Sequence, residues 1–231
     1  MPESMGYSGM DTNSLLIKYK RIFDFVENCC SKYNIDESHG LKHSIGTVKW
    51  ALTLMDDYDD ISDIECSVII YAAALHDMCD AKYRSVEEGS NEICEWLLSD
   101  GVKLSVATAV IEIITSMSYS KLKLANKRQL VSGDDLIYPD HDKWQRAYHI
   151  VRHADLLEAY RVARCYLYSK RQRPLFTEEQ IWAETRTIFD ERVFKYVSQR
   201  WIFLPTALNA VTQLTLEAKK CLDNRCSEYI I

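Results

Sequence analysis

Basic excess, paired cysteine motifs, long apolar runs and glycine are all scarce in this chain of 231 residues. The formal net charge is −6, which excludes a broad nucleic-acid-binding face, since that needs clustered Lys and Arg. A local basic pocket for a phosphate is still compatible with it. The longest apolar run is interrupted by His76-Asp77 before it reaches membrane-spanning length, so no membrane partner is expected. Eight cysteines are present but none forms a CxxC pair. Zinc-finger spacing is therefore absent, and buried reduced thiols in a reducing, cytoplasmic setting are expected. The segment Met1 to Ser14 has neither the basic start nor the apolar centre of a signal peptide, and reads as a disordered lead-in. With only 7 glycines and no sustained period-two pattern, a β-rich fold is not expected either.

Helical signals recur instead. One apolar stripe runs from Leu15 through Ile22, Phe23 and Val26 to Cys30, and a second from Ile45 to Met55. A third segment, Ile64 to Leu75, is apolar all round and reads as a buried helix capped by Ser62 or Asp63. Ser85-Val86-Glu87-Glu88 is a capping box opening a fourth helix that ends before Gly101. Val106, Ala109, Val110, Ile113, Ile114 and Met117 mark a fifth. After a loop over residues 131–140, one long helix is expected from about Lys143 to Tyr168. Another is expected from Thr177 to about Trp201, and a last one from Pro205 to about Leu222. The fold class is all-α, with residues 15–231 as one helical domain. The aromatics after Thr177 (Trp182, Phe189, Phe194, Tyr196, Trp201, Phe203) complete a core on this reading; a homo-oligomer face is the alternative.

The chemistry concentrates at His76-Asp77. A charge-capable pair at the end of a buried helix needs partners, because an unpaired carboxylate there costs several kcal/mol. A divalent cation is one such partner. His43 upstream and Asp155 downstream supply the same kind of ligand, and a shell of imidazoles and carboxylates suits Mn²⁺, Mg²⁺, Fe²⁺, Co²⁺, Ni²⁺ or Zn²⁺. Periodicity alone leaves a second reading open, in which His76-Asp77 is only a helix terminus.

Five stretches, in order, resemble the HD phosphohydrolase superfamily, and within it the small hydrolases of the nucleotide-pyrophosphohydrolase type. Ser38-His39-Gly40-Leu41-Lys42-His43 is similar to the family's SHDxxH entry, although Gly40 stands where an Asp is usual. Ala74-Leu75-His76-Asp77-Met78-Cys79-Asp80-Ala81-Lys82-Tyr83 resembles LLHDIxDxKY. The run from Glu88 to Val102 resembles the helix that follows. Ile114-Thr115-Ser116-Met117-Ser118-Tyr119-Ser120-Lys121 is similar to ISYSK. His153-Ala154-Asp155-Leu156-Leu157-Glu158-Ala159 is similar to DADRLDA, with His153 and Leu156 as departures. The series covers about residues 36–165, and the helices of 177–222 lie outside it.

The resemblance implies an HD-type helical bundle, with one divalent ion, Mn²⁺ foremost, on His43, His76, Asp77 and Asp155. It implies hydrolysis of a small phosphorylated metabolite, a nucleotide in particular: a triphosphate to monophosphate and pyrophosphate, or dephosphorylation of a monophosphate. Lys82, Lys121 and Arg84 are then expected at the phosphates. Asp80, three residues after Asp77, is expected to orient water or accept its proton, with an N-cap in a turn as the alternative. His39 is expected beside His43 as a substrate contact or general acid, and Glu158 as the hydrogen-bond partner of a ligand histidine. His141, His149 and His153 raise the alternative of a second metal, as in two-metal phosphodiesterases and oxygenases. A nucleotide-sensing module without turnover is the alternative outside enzymes.

Overall fold

The computed structural model describes residues 11–226. All its regular structure is helical among those residues, as the patterning predicts. The α-helices are α1 (Thr12–Lys18), α2 (Lys20–Tyr33), α3 (Leu41–Met55), α4 (Asp63–Leu75), α5 (Val86–Ser99), α6 (Leu104–Ser116), α7 (Tyr119–Ala125), α8 (Lys127–Ser132), α9 (Gln145–Glu158), α10 (Val162–Gln172), α11 (Glu178–Glu191) and α12 (Pro205–Asn224).

Helix α4 is the axis of the bundle. Its Val68, Ile69, Ile70, Ala72, Ala73, Ala74 and Leu75 are all buried, and it packs on α3, α6 and α9. The alanines let neighbouring backbones approach closely, while Ser62 caps the N-terminus by accepting the Glu65 N–H at 3.2 Å. The α3–α9 interface is the most extensive in the molecule. Burying faces of this kind is worth roughly 25 cal/mol per Å² of apolar area, far more than helix propensity supplies.

Several boundaries differ from those expected. Helix α1 starts at Thr12, because Asp11 accepts the backbone N–H of Asn13 and Ser14. The expected lead-in therefore stops short of Ser14, and residues 1–10 of it lie outside the described residues. The stripe from Leu15 to Cys30 is divided at Tyr19. The long helix expected over 143–168 is three elements: a 3-10 turn (Asp142–Trp144), α9 and α10. No Gly or Pro marks the break after Glu158. It follows from burial of Tyr160, whose hydroxyl donates to the Val193 carbonyl at 3.1 Å, and from the extended backbone of Arg161. Helix α11 stops at Glu191, and a 3-10 turn (Val193–Lys195) carries the chain toward Trp201. Trp182, Phe189, Tyr196 and Trp201 join the main core, whereas Phe203 stays partly exposed.

Gly89 fixes the approach of α5 to the turn that follows His76-Asp77. A Cβ at position 89 would lie 2.8 Å from the Cys79 Cα and 2.7 Å from its Cβ. Gly89→Ala gains about 1 kcal/mol of helix propensity but must displace backbone next to Asp80. We expect a net destabilisation of about 1–3 kcal/mol, read as a lower urea midpoint with an unchanged slope. An unchanged or raised midpoint would show that α5 can move away freely.

Candidate metal centre

Three elements bring the expected ligands together. His43 lies in the first turn of α3 and is fully buried. His76 is the C-cap of α4, and Asp77 follows it in the turn closed by Met78 N–H to the Leu75 carbonyl at 2.9 Å. Asp155 lies near the end of α9. The ligand atoms of His43, His76 and Asp155 are all within 4.8 Å of one another, and no other such group of His, Cys, Asp or Glu occurs among the described residues.

The two imidazole Nε2 atoms are 3.0 Å apart. Asp77 Oδ2 is 3.2 Å from each of them, and Asp155 Oδ1 is 3.4 Å from His43 Nε2 and 3.7 Å from His76 Nε2. Ligands bound at about 2.1 Å in adjacent octahedral positions stand about 3.0 Å apart, so these separations match donors facing one centre. His76 Nδ1–H donates to the Ala73 carbonyl at 3.0 Å, which turns the Nε2 lone pair inward. The buried Asp77 Oδ2 has no hydrogen-bond partner. The Nε2 atoms of His43 and His76 and a carboxylate oxygen of Asp155 form a group that could hold a metal ion, and Asp77 Oδ2 lies beside both imidazoles without belonging to that group. Burial alone would push the His76 pKa down; Asp77 and Asp155 outweigh it and lift it to about 10. The residues therefore fit a divalent ion, with the mixed nitrogen and oxygen donor set expected for Mn²⁺ and its neighbours.

Sequence reasoning missed Arg164. Its Nε donates to the Ser38 carbonyl at 2.5 Å, Nη1 lies 3.5 Å from Asp155 Oδ1 and Nη2 lies 3.8 Å from Asp77 Oδ2. It reaches them because the chain breaks at 159–161, so the signal that would have found it is the break itself.

A cavity of about 300 Å³ opens beside the cluster. Asp80, Lys82, Lys121, Tyr168, Arg164, Tyr119, Arg192 and Tyr196 are among its lining residues, together with His39, His76, Asp77 and Asp155. The two lysines are exposed and the two arginines half-buried. Lys82 Nζ is 3.2 Å from His39 Nε2, 3.3 Å from Asp80 Oδ2 and 5.6 Å from the Tyr168 ring centre.

Other expected roles change. Helix α4 ends before Asp77, so Asp80 does not share a helix face with it; Asp80 Oδ1 caps a turn by accepting the Lys82 N–H at 2.8 Å. His39 precedes α3. The Ser38 and Tyr83 hydroxyls both donate to Asp36, so both can accept from His39 Nδ1–H, leaving Nε2 as an acceptor for Lys82. Burial lowers the His39 pKa to about 4. A neutral imidazole of that tautomer positions Lys82 and is a poor general acid. Arg84 does not line the cavity: it pairs with Glu92 and stacks on Tyr33 at 3.8 Å. Glu158 does not hold a ligand histidine. It accepts from Arg161 at 2.5 Å and lies against Gly46, in space that a side chain there would occupy. The His43 Nδ1 atom has no hydrogen-bond partner.

The extra histidines form a separate wall. His141 Nε2 is 2.9 Å from the Ser116 hydroxyl, and His149 Nε2 is 3.0 Å from Gln145 Nε2. His153 Nδ1–H donates to the His149 carbonyl at 2.7 Å, and its Nε2 accepts the Phe203 N–H at 3.0 Å. His153 thus ties α9 to the segment leading into α12.

Comparison with family models, with curated proteins and with solved structures gave no match. The functional argument therefore rests on the residues and their geometry.

Two outcomes are expected. Asp155→Asn keeps the shape and removes the charge; it and His76→Ala should hold Mn²⁺ about tenfold or more weakly than wild type, since loss of a mere outer partner already costs that much. Metal content after desalting, with helicity checked by circular dichroism, measures this; wild-type retention in both variants would return the pair to a helix terminus.

The second concerns His149, which faces Tyr138, Tyr148, Arg152, His141 and Phe203. Burial first, then Arg152 and His141, lower its pKa to about 4. The unfolded state binds the proton more readily, so stability is full above about pH 6.5 and falls progressively toward about pH 4. Discounted for partial exposure, the loss is about 1–2 kcal/mol, and His149→Gln should reduce it in urea denaturation followed against pH. An equal pH dependence in the variant would remove His149 as its source.

Proposed function

We propose that this protein is a divalent-metal-dependent phosphohydrolase acting on a small phosphorylated metabolite, with a nucleotide as the preferred class. The observation that carries the reading is the convergence of His43, His76, Asp77 and Asp155 beside a cavity also lined by Lys82, Lys121, Arg164 and Arg192. The ordered resemblance to HD phosphohydrolases, carried in part by the same residues, also supports it. A divalent ion, when bound, supplies Lewis acidity toward a phosphoryl oxygen and a water acidified enough to ionise near neutrality.

The chain's own groups would do the rest. Arg164, beside Asp77 and Asp155, offsets charge on the non-bridging oxygens of the phosphoryl group undergoing attack. Lys82, oriented by His39 and Asp80, and Lys121 hold the remaining phosphate oxygens at the mouth. The aromatic and apolar wall from Tyr168, Met117 and Ile188 accepts the less polar part of the substrate. Because the three extra histidines hydrogen-bond elsewhere, the reading takes one ion rather than two.

Phosphate release measured across nucleoside mono-, di- and triphosphates with Mn²⁺, Mg²⁺, Co²⁺ and Ni²⁺ tests this directly. Turnover should require added metal and vanish in Asp77→Ala. Lys121→Ala should lower kcat/KM by about tenfold with metal content unchanged, since it removes one cation from the phosphates and no ligand. Absence of hydrolysis across the panel, with metal retained and nucleotide bound, would instead favour a nucleotide sensor.

A further inference from the structure

Arg192 and Tyr119 line the same cavity but have no separate role in the reading above. Arg192 follows α11, in the part of the chain that the resemblance does not reach. Its Nε donates to the Tyr196 hydroxyl at 2.7 Å, and its guanidinium lies over the Tyr119 ring at 4.2 Å from the centre. The Tyr119 ring is fixed in turn against Tyr196 at 5.4 Å and Trp201 at 5.0 Å. All three of Arg192, Tyr119 and Tyr196 line the cavity.

What these groups lack is a partner. The inward-facing arginines of the site differ in this respect: Arg164 is paired with both carboxylates of the cluster, whereas Arg192 takes part in no ion pair among the described residues and hydrogen-bonds from its side chain only to Tyr196. Its two Nη groups are thus uncommitted donors on the cavity wall. The Tyr119 hydroxyl is buried and has no hydrogen-bond partner, in a residue only 9% exposed. A buried hydroxyl without a hydrogen-bond partner costs about 1–3 kcal/mol. Unpaired donors on Arg192 and Tyr119, braced by the rings of Tyr196 and Trp201 in residues that line a cavity, are the components of an oxyanion site.

We propose that Arg192 and Tyr119 form a second anion subsite in this cavity, which selects substrates carrying a second phosphoryl group beyond the one addressed by the His-Asp cluster and Arg164. The guanidinium takes two oxygens of that group through its Nη donors, and the Tyr119 hydroxyl donates a third bond. The substrate class is a diphosphate-bearing metabolite, in preference to a simple monoester. This rests on the phosphohydrolase reading for the identity of the first phosphate, but the subsite's own affinity does not depend on turnover.

Binding of inorganic pyrophosphate and of inorganic phosphate to the Mn²⁺-loaded protein, measured by titration calorimetry, tests it. Wild type should bind pyrophosphate more tightly than phosphate. Arg192→Met should weaken pyrophosphate about tenfold or more while leaving phosphate affinity and Mn²⁺ retention within about twofold, as expected for loss of one charge-assisted contact. Tyr119→Phe keeps the ring under Arg192 and removes only the hydroxyl, so it should show a smaller loss of the same preference without a folding defect. Arg192→Lys keeps the charge but not the fork, and should recover only part. An unchanged preference in Arg192→Met and Tyr119→Phe would overturn the subsite and leave Arg192 as a clamp between two rings. Equal affinity of wild type for the two anions would overturn it as well, without touching the metal centre. Arg192-dependent pyrophosphate binding with no hydrolysis of any phosphate would uphold the subsite and count against the hydrolase reading.

Discussion

The rest of the structure depends on one electrostatic constraint: a His-Asp pair at the C-terminal end of a helix buried on nearly every side. That end of a helix carries the negative pole of the backbone and unsatisfied carbonyls. One of them, on Ala73, is answered by His76 Nδ1–H. The remaining demand is for positive charge, because Asp77 and Asp155 add two carboxylates where the dipole already disfavours them. Arg164 meets that demand from one side, and the inward-facing Nε2 and carboxylate oxygens frame a place for a cation on the other. The cluster therefore shapes the electrostatics of this helix end and is a candidate site of chemistry.

The same constraint explains the turn between α9 and α10. A continuous helix from Gln145 would carry position 164 along the axis of α9, away from Asp155. Residues 159–161 instead break the helix, with Tyr160 buried as the anchor and Arg161 extended. Arg164 then folds back within reach of Ser38, Asp77 and Asp155. Glu158 is used at the same corner, where its carboxylate fills the space that Gly46 leaves open between α3 and α9 and accepts from Arg161. Polar groups at this corner are thus paired with one another, and the ligand atoms are left to face inward.

This history also sets what was legible in the residues. The helix class, the buried character of α4 and its cap, at Ser62 rather than the alternative Asp63, were readable because periodicity and capping are local. The meeting of His43, His76, Asp77 and Asp155 was readable through motif order, although spacing alone could not prove it. Arg164 was hidden because no Gly or Pro marks the break that delivers it. Arg84 and Glu158 misled for the opposite reason: each sits beside a motif in sequence, yet Glu92 and Arg161 claim them in space. Asp80 shows that three-residue spacing puts two side chains on one face only where a helix continues, and α4 does not.

The histidines of α9 carry the argument to the C-terminal third. His153 uses both ring nitrogens on backbone, one within α9 and one on Phe203, so a residue that looks like a spare ligand is in fact a joint between the central bundle and the segment after Trp201. Tyr160 makes a comparable joint to Val193. Both fix the stretch that carries Arg192 and Tyr196 against the cavity wall. The C-terminal third is thereby joined to the helices that hold the cluster, and its cation is presented on a stiff aromatic support, Tyr119 and Trp201, rather than on a free loop. A rigid cation loses less side-chain entropy on meeting an anion than an exposed lysine does. The cavity is therefore graded, with exposed lysines at the solvent edge and half-buried arginines within.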